Sequence, residues 1–323
     1  MKEKGIWLLN EMKPEHLKKA QEIAPDYELI KGWEADSTLD YPVDKIEVVY
    51  GWNKNKVQEA GLLETEASQL KWIQVSSAGV DYMDLDHLEE QGISLTNASG
   101  IHSVPIAESV FGMLLAHGRK IKQAVSDQAQ HVWREEEKLV ELSDKTMMIV
   151  GTGHIGKEIG RLAKAFNMKT IGINRSGREV ENMDEIYQQP ELTDYVGKAD
   201  IVVNILPLTS ETEHYFDEKV FSQMKKGTAF VNVGRGPTVK TEELIQALDD
   251  GKVVFAALDV FETEPLEKDS PLWDRKDVLI TPHISGNAEH YNTRLFAIFE
   301  ENLRAYVAEK ELPKNVVDYE KSY

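Results

Sequence analysis

Met147-Met148-Ile149-Val150-Gly151-Thr152-Gly153-His154-Ile155-Gly156 runs from an apolar stretch into three glycines and on into a helical pattern. Each glycine has its own physical use: a tight turn, close approach of backbone to a pyrophosphate, and close packing of helix on strand. A turn of this kind offers unpaired N–H groups and the positive end of a helix dipole to an anion. The expectation is a dinucleotide site built on Gly151, Gly153, His154, Ile155 and Gly156. The alternative is a glycine-rich turn that binds nothing.

Outward from that turn, apolar runs at 170–173, 201–205, 228–233, 254–258 and 278–280 join 147–150 as six buried strands, most of them separated by helical patterns. Continuous apolar runs belong to a parallel sheet covered on both faces, and a doubly wound sheet holds ligands at the carboxyl ends of its strands. Upstream, 6–9, 46–50, 72–75 and 93–95 read as strands and 14–23 as a helix, an α/β series of its own. Pro105 suits a first helical turn, and Val110, Leu114 and Ile121 keep helical spacing, so 105–125 reads as one long connecting helix. The amphipathic stretch 288–308 has no strand to serve and is expected to cross back to the first series. A chain of 323 residues is long enough for two domains.

Composition narrows the function. With 37 Lys and Arg against 56 Asp and Glu, the formal charge of −19 repels polyanions, so nucleic acid is not an expected partner. The lack of cysteine removes disulfides, thiolate nucleophiles and thiolate metal sites together, and fits a cytoplasmic protein. No apolar stretch approaches the ~20 residues of a spanning helix and no export signal is visible, so no membrane association is expected. His16, His87, His102, His117, His131, His154, His214 and His290 lack the spacing of a metal site, and no metal is expected. His102 alone stands near the candidate loops.

Two further sets of residues carry chemistry. At the end of the second strand of the 147–280 series, 174 − 156 = 18 residues past the third glycine, stands Asn174, followed by Arg175-Ser176. An acidic residue there holds ribose hydroxyls. A neutral one beside an arginine removes repulsion of a 2′-phosphate and adds a planar donor, so NADP is the preferred cofactor, with NAD possible. The alternative is a solvated surface arginine. Downstream, Arg235 follows a strand between glycines, Glu264 follows Ala257-Leu258-Asp259-Val260-Phe261, and His283 stands in Thr281-Pro282-His283-Ile284-Ser285. Reduction of a 2-keto acid needs those types. An always-charged guanidinium polarises the carbonyl and holds the carboxylate, an imidazole delivers the proton, and a carboxylate fixes the imidazole's tautomer. Alone, each is more often a structural or surface residue; the ordered set behind a dinucleotide turn is what points to catalysis.

With Ser77-Ala78-Gly79-Val80-Asp81, Asn97-Ala98-Ser99-Gly100, Pro105-Ile106-Ala107-Glu108 and Leu206-Pro207-Leu208-Thr209, these segments resemble the D-isomer-specific 2-hydroxyacid dehydrogenases over about 72–287. The resemblance implies two Rossmann-like domains: an NAD(P)-binding domain at 99–285, a doubly wound parallel sheet, inserted into a discontinuous flavodoxin-like substrate domain of 1–98 and 286–323. It implies catalysis by Arg235, Glu264 and His283, substrate binding by backbone N–H groups of Ala78, Gly79 and Val80, and a nicotinamide carboxamide contact from Asp259. It also implies that Pro207 and Thr212 line the adenosine and phosphate region. The alternative for Asp259 and Thr212 is a simple strand-end or loop cap. A small 2-keto or 2-hydroxy acid is the implied partner, in a homodimer built on the cofactor domain, and Asn174-Arg175-Ser176 is similar to the branch that uses NADPH with glyoxylate or hydroxypyruvate. Asp144 and Met148 depart from frequent glycines, and residues before Trp72 match poorly, which leaves substrate choice open. Corepressor-like dinucleotide sensors share the fold and the three residues, so a scaffold without turnover is the alternative to an enzyme.

Overall fold

Side chains of successive strand residues leave on opposite faces, and in this chain both faces are apolar, so each sheet is covered on two sides. The computed structural model describes residues 2–34, 39–65, 67–80, 82–135 and 138–319. In chain order the elements begin β1 (Lys4–Leu8), α1 (Pro14–Ile23), β2 (Tyr27–Lys31), β3 (Ile46–Tyr50), α2 (Lys54–Glu59), β4 (Trp72–Gln74), α3 (Leu85–Glu90) and β5 (Ser94–Thr96). There follow α4 (Ser103–Gly118), α5 (Ile121–Ala129), β6 (Thr146–Val150), α6 (His154–Ala165), β7 (Lys169–Asn174), β8 (Glu185–Gln188), α7 (Leu192–Tyr195), β9 (Ile201–Asn204) and α8 (Glu218–Gln223). The last are β10 (Thr228–Asn232), α9 (Thr241–Asp249), β11 (Val253–Leu258), β12 (Val278–Ile280) and α10 (Tyr291–Val307). The chain divides into two units, Met1–Ile101 with Glu289–Tyr323, and His102–Ala288.

The first unit is a parallel sheet in the order β2-β1-β3-β4-β5, the flavodoxin-like order. Ile6, Leu8, Val48, Tyr50 and Trp72 form one layer with Leu295, Phe296, Phe299 and Leu303 of α10. Trp7, Val49, Ile73 and Leu95 form the other with Val57 of α2 and Leu88 of α3. The late amphipathic stretch therefore does return to the first series. Phe299 stacks on Trp72 with centroids 5.1 Å apart, and Phe296 stacks on His16 of α1 at 4.2 Å. Buried Glu47 in β3 accepts from Tyr27 at 2.7 Å and from Tyr306 of α10 at 3.0 Å, which ties helix to sheet.

The second unit is a seven-stranded parallel sheet ordered β12-β11-β10-β9-β6-β7-β8. Met148, Val150, Val202, Phe230 and Ala256 project into the layer that holds Val220 and Phe221 of α8 and Leu244 of α9. Met147, Ile149, Val203, Val231 and Ala257 project the other way, against α4 and α6, where Phe111 and Phe166 stack at 5.0 Å. Strand β8 escapes the sequence reading because this edge strand is half-exposed and has no apolar run, and β2 escapes for a similar reason.

One expectation fails. The stretch 105–125 is two helices, not one: α4 ends at Gly118, and Lys120 takes a left-handed φ of 55° before α5. Apolar spacing carries across the break, so periodicity misses it. At the break the Gly118 carbonyl accepts from Val140 N–H at 2.9 Å, and the approach is close enough that a Cβ at Gly118 would lie 2.8 Å from the Val140 carbonyl oxygen. Beyond the break Ile121, Val125, Val132, Trp133 and Leu139 are exposed, Trp133 at 89%. Among the described residues no helix is long and apolar enough to cross a membrane.

Candidate active site

Parallel register sets the carboxyl ends of neighbouring strands level with one another. Asn232 of β10 pairs with Asn204 of β9 and Leu258 of β11, Leu258 pairs with Ile280 of β12, and Val150 of β6 pairs with Asn204 and Ile173 of β7. Residues just past those partners share one edge of the sheet. The glycine turn, Asn174-Arg175-Ser176, Pro207, Arg235, Asp259, Glu264 and His283 all follow strand ends there. The chain moves from β6 to β7 on one side and on to β9, β10, β11 and β12 on the other, so the glycine turn lies at the reversal point where doubly wound sheets bind ligands.

The turn fits a dinucleotide in its details. Gly151 has a φ of 105°, which a side chain adopts only with strain, and a Cβ on Gly156 would fall 2.2 Å from the Gly151 carbonyl oxygen. A Cβ on Gly153 would meet nothing within 4 Å, so the space above the start of α6 is open to a pyrophosphate. His154 and Ile155 open α6, which begins at that turn. At the end of β7 the Asn174 amide donates to the Thr152 hydroxyl at 3.1 Å and the Arg178 carbonyl at 3.0 Å, while its oxygen accepts from Ser176 N–H at 3.2 Å. Asn174 thus holds the turn together. The side chains of Arg175 and Arg178 are exposed and make no hydrogen bond or ion pair among the described residues. Thr212 is buried and caps its own loop, donating to the Pro207 carbonyl at 2.6 Å and accepting from Thr209 N–H at 2.8 Å, while Pro207 is exposed.

Arg235 is exposed between two glycines that have no room for a side chain. A Cβ on Gly234 would lie 2.7 Å from the Leu206 carbonyl oxygen, and one on Gly236 would lie 1.8 Å from that of Phe261. Among the described residues the guanidinium donates only to the neighbouring Gly234 carbonyl, at 2.9 Å, which leaves most of its donors for a ligand.

His283 has a left-handed φ of 51° and donates its backbone N–H to the Asp259 carbonyl at 2.8 Å. Its Nδ1 is 2.7 Å from Glu264 Oε2, and Glu264 Oε1 accepts from Phe261 N–H at 3.0 Å. A neutral or charged imidazole bonded this way keeps Nε2 for other work. Asp259 is fully buried, and its carboxylate accepts from the Thr281 and Ser285 hydroxyls and from the backbone N–H groups of Ile284 and Ser285. Four donors occupy it, so it clamps the loop that carries His283. His102 Nδ1 is 2.8 Å from the Gly286 carbonyl oxygen, at the end of the same loop.

In the first unit, Ala78, Gly79 and Val80 follow β4. The loop is braced by Ser77 Oγ donating to the Gly79 carbonyl at 2.8 Å and by Asn97 Nδ2 donating to the Ala78 carbonyl at 2.9 Å. Their three backbone N–H groups have no hydrogen-bond partner among the described residues. Asp81, the last member of that motif, lies outside the described residues. Sequence reading overlooked Arg178, although a second arginine three places after Arg175 is a visible signal. It also overlooked buried Asn204, Asn232 and Thr238 beneath Arg235, whose pairing no periodicity announces.

Known proteins resemble this chain along much of its length. A family model described as D-isomer specific 2-hydroxyacid dehydrogenase, NAD binding domain, matches residues 111–285. A glyoxylate reductase of Aeropyrum pernix is 32% identical over 311 residues, covering 92% of this chain and 87% of the relative. Among solved structures, a phosphoglycerate dehydrogenase from Lactobacillus plantarum is 37% identical with a TM-score of 0.58, covering 97% of this chain and 100% of that one. An NADPH-dependent glyoxylate/hydroxypyruvate reductase from Sinorhizobium meliloti, in complex with NADP and sulfate, is 26% identical with a TM-score of 0.75, covering 99% of this chain and 100% of that one.

Proposed function

The chain belongs to the D-isomer-specific 2-hydroxyacid dehydrogenases, oxidoreductases that depend on a nicotinamide dinucleotide, and from that premise we propose that it reduces glyoxylate or hydroxypyruvate with NADPH. The observation that carries the reading is the shared carboxyl edge of one parallel sheet, where the glycine turn, Arg235 and the hydrogen-bonded Glu264–His283 pair follow strand ends.

The dinucleotide, when bound, supplies the hydride that reduces the keto carbon. Every other task falls to side chains. The donors that Arg235 keeps for a ligand suit both the ketone oxygen and the carboxylate of a 2-keto acid. His283 delivers a proton from Nε2 to the developing alkoxide, while Glu264 on Nδ1 orients the ring. Asp259 acts on His283 through the loop it clamps. In the first unit we assign the unpaired N–H groups of Ala78, Gly79 and Val80 to a carboxylate. In the second we assign the dinucleotide's phosphates to the N–H groups of 151–156 and its adenosine side to Pro207 and the Thr212 loop.

For the cofactor's 2′-phosphate we assign Arg175 and Arg178, two unpaired guanidinium groups on one turn that Asn174 shapes. Loss of a charge-assisted pair of this kind costs about 1.5–3 kcal/mol, or roughly 10- to 150-fold in affinity. Arg175→Ala with Arg178→Ala is expected to lose that much kcat/KM with NADPH and little with NADH. Equal use of both cofactors by the unaltered protein would defeat the assignment. The exposed side chains Ile121, Val125, Val132, Trp133 and Leu139 support a homodimer through this face of the second unit; Trp133→Glu is expected to yield monomers on sizing with light scattering.

The deciding experiment is a panel of 2-keto acids with NADPH and NADH, run beside 3-phosphoglycerate in the oxidative direction. Glyoxylate or hydroxypyruvate should give the highest kcat/KM. Preference for 3-phosphoglycerate, the class named by the Lactobacillus plantarum neighbour, would reassign the substrate. Cofactor binding without turnover on any member would favour a sensing scaffold.

A further inference from the structure

Beneath Arg235, where the surrounding strand interior is apolar, three polar side chains are fully or almost fully buried: Asn204 and Thr238 at 0% exposure and Asn232 at 1%. Their bonds close on one another. The Asn204 amide donates to Asn232 Oδ1 at 3.0 Å and to the Thr238 hydroxyl at 2.7 Å, and its own oxygen accepts from Leu206 N–H at 3.1 Å. The Thr238 hydroxyl passes its proton on to the Arg235 carbonyl at 2.6 Å, and Asn232 Nδ2 reaches the same carbonyl at 3.3 Å. Asn232 Oδ1 also accepts from Gly234 N–H at 3.1 Å.

Every donor and acceptor of the Asn204 side chain therefore ends on one of two segments. One is the arginine turn, 232–238. The other starts at Leu206, one residue before the exposed Pro207. The segments touch backbone to backbone, because a Cβ on Gly234 would lie 2.9 Å from Leu206 N and 2.7 Å from its carbonyl oxygen. The cluster does more than fill space, because apolar side chains at these places would leave the buried N–H groups of Leu206 and Gly234 without their acceptors. What apolar packing does not supply is direction, and here the direction runs from one buried amide to the backbone on either side of an exposed guanidinium.

We propose that Asn204 is a positioning residue which, through Asn232 and Thr238, sets the backbone from which Arg235 projects and registers it against the segment beginning at Leu206. The inference rests on the reading of Arg235 as the group that holds the keto acid.

The test uses the full chain with NADPH and glyoxylate. Kinetics of Thr238→Val, Thr238→Ser and Asn204→Leu are measured alone and with Arg235→Lys, beside the melting temperature and the NADPH dissociation constant. Thr238→Val keeps shape and loses the hydroxyl, so it covers the case in which Asn204→Leu does not fold. Expected are a fall in kcat and a rise in glyoxylate KM that together lower kcat/KM about 10-fold or more for Thr238→Val, with NADPH binding and folding kept. Thr238→Ser, which retains the hydroxyl, should recover most of the loss. In the Arg235→Lys background Thr238→Val should add less than about twofold, since both changes disable one group. A folded Thr238→Val with wild-type kcat and KM, or effects that multiply with Arg235→Lys, would overturn the inference while leaving the arginine reading intact. An Arg235→Lys protein with wild-type turnover would remove the arginine reading and the inference together.

Discussion

Gly236→Ala is a one-carbon change whose consequence follows from two distances. The added Cβ would sit 1.8 Å from the Phe261 carbonyl oxygen and 1.9 Å from its carbon, both backbone atoms with no rotamer to change. Contact between heavy atoms is comfortable only at about 3.5 Å, so the turn carrying Arg235 and the loop carrying Glu264 must part by roughly 1.7 Å. Overpacking of that size typically costs about 1–3 kcal/mol of stability, within what a folded domain tolerates. Catalysis tolerates less, since a misplacement near 1 Å costs on the order of 10²-fold. Glu264 moves with the loop because its Oε1 is bonded to Phe261 N–H, and His283 is bonded to its other oxygen. The expected result is a folded protein with a lowered melting temperature and kcat/KM for glyoxylate down about 100-fold. The assay is steady-state NADPH oxidation beside a thermal melt. A stably folded Gly236→Ala enzyme with kcat/KM within about threefold of wild type would refute the reasoning, because the two loops would then tolerate separation.

Other outcomes follow from the same coordinates. Gly153→Ala adds a methyl that meets nothing within 4 Å at an ordinary φ of −73°, so the melting temperature should hold or rise slightly, while NADPH affinity falls about 10-fold or more as the methyl fills the approach to the helix. Unchanged affinity in titrations would contradict that. His117 stacks on Phe255 at 3.9 Å, and burial, with a smaller push from Lys120, lowers its imidazole from 6.5 to about 4. The unfolded chain gains a proton below its higher pKa that the folded protein refuses, so stability is full above 6.5 and declines as pH falls toward 4. The melting temperature of His117→Gln should therefore drop less than that of wild type between about pH 7 and pH 5; parallel curves would sink this account.

Much of the fold was readable because buried parallel strands are nearly continuous apolar runs, and those at 46–50 and 278–280 match β3 and β12 residue for residue. Strands at the sheet edges, β2 and β8, were not, since half-exposed strands carry no such run. The break at Lys120 was hidden because the residue that meets Gly118 there, Val140, lies 22 residues further along (140 − 118). The same rule divides the candidate site. Polar residues just past strand ends are visible one at a time, so Arg235, Glu264 and His283 could be picked out. What holds them could not, because Asn204 reaches Thr238 across 34 positions and Asp259 reaches Ser285 across 26. Nor does a glycine beside an arginine reveal which backbone it must clear. The coordinates make Gly236 a point of contact with Phe261.

The central claim is that the carboxyl edge of the second unit's sheet binds a nicotinamide dinucleotide and there reduces a 2-keto acid, with His283 as the proton donor. Its most direct test is the single-turnover rate of NADPH oxidation by glyoxylate and hydroxypyruvate, measured for wild type and His283→Ala beside NADPH titrations of both. The account predicts turnover by wild type, and a His283→Ala protein that still binds NADPH but reduces substrate on the order of 10²–10⁴-fold more slowly. A His283→Ala protein that keeps the wild-type rate, or a wild type that binds NADPH and reduces neither acid, would contradict it.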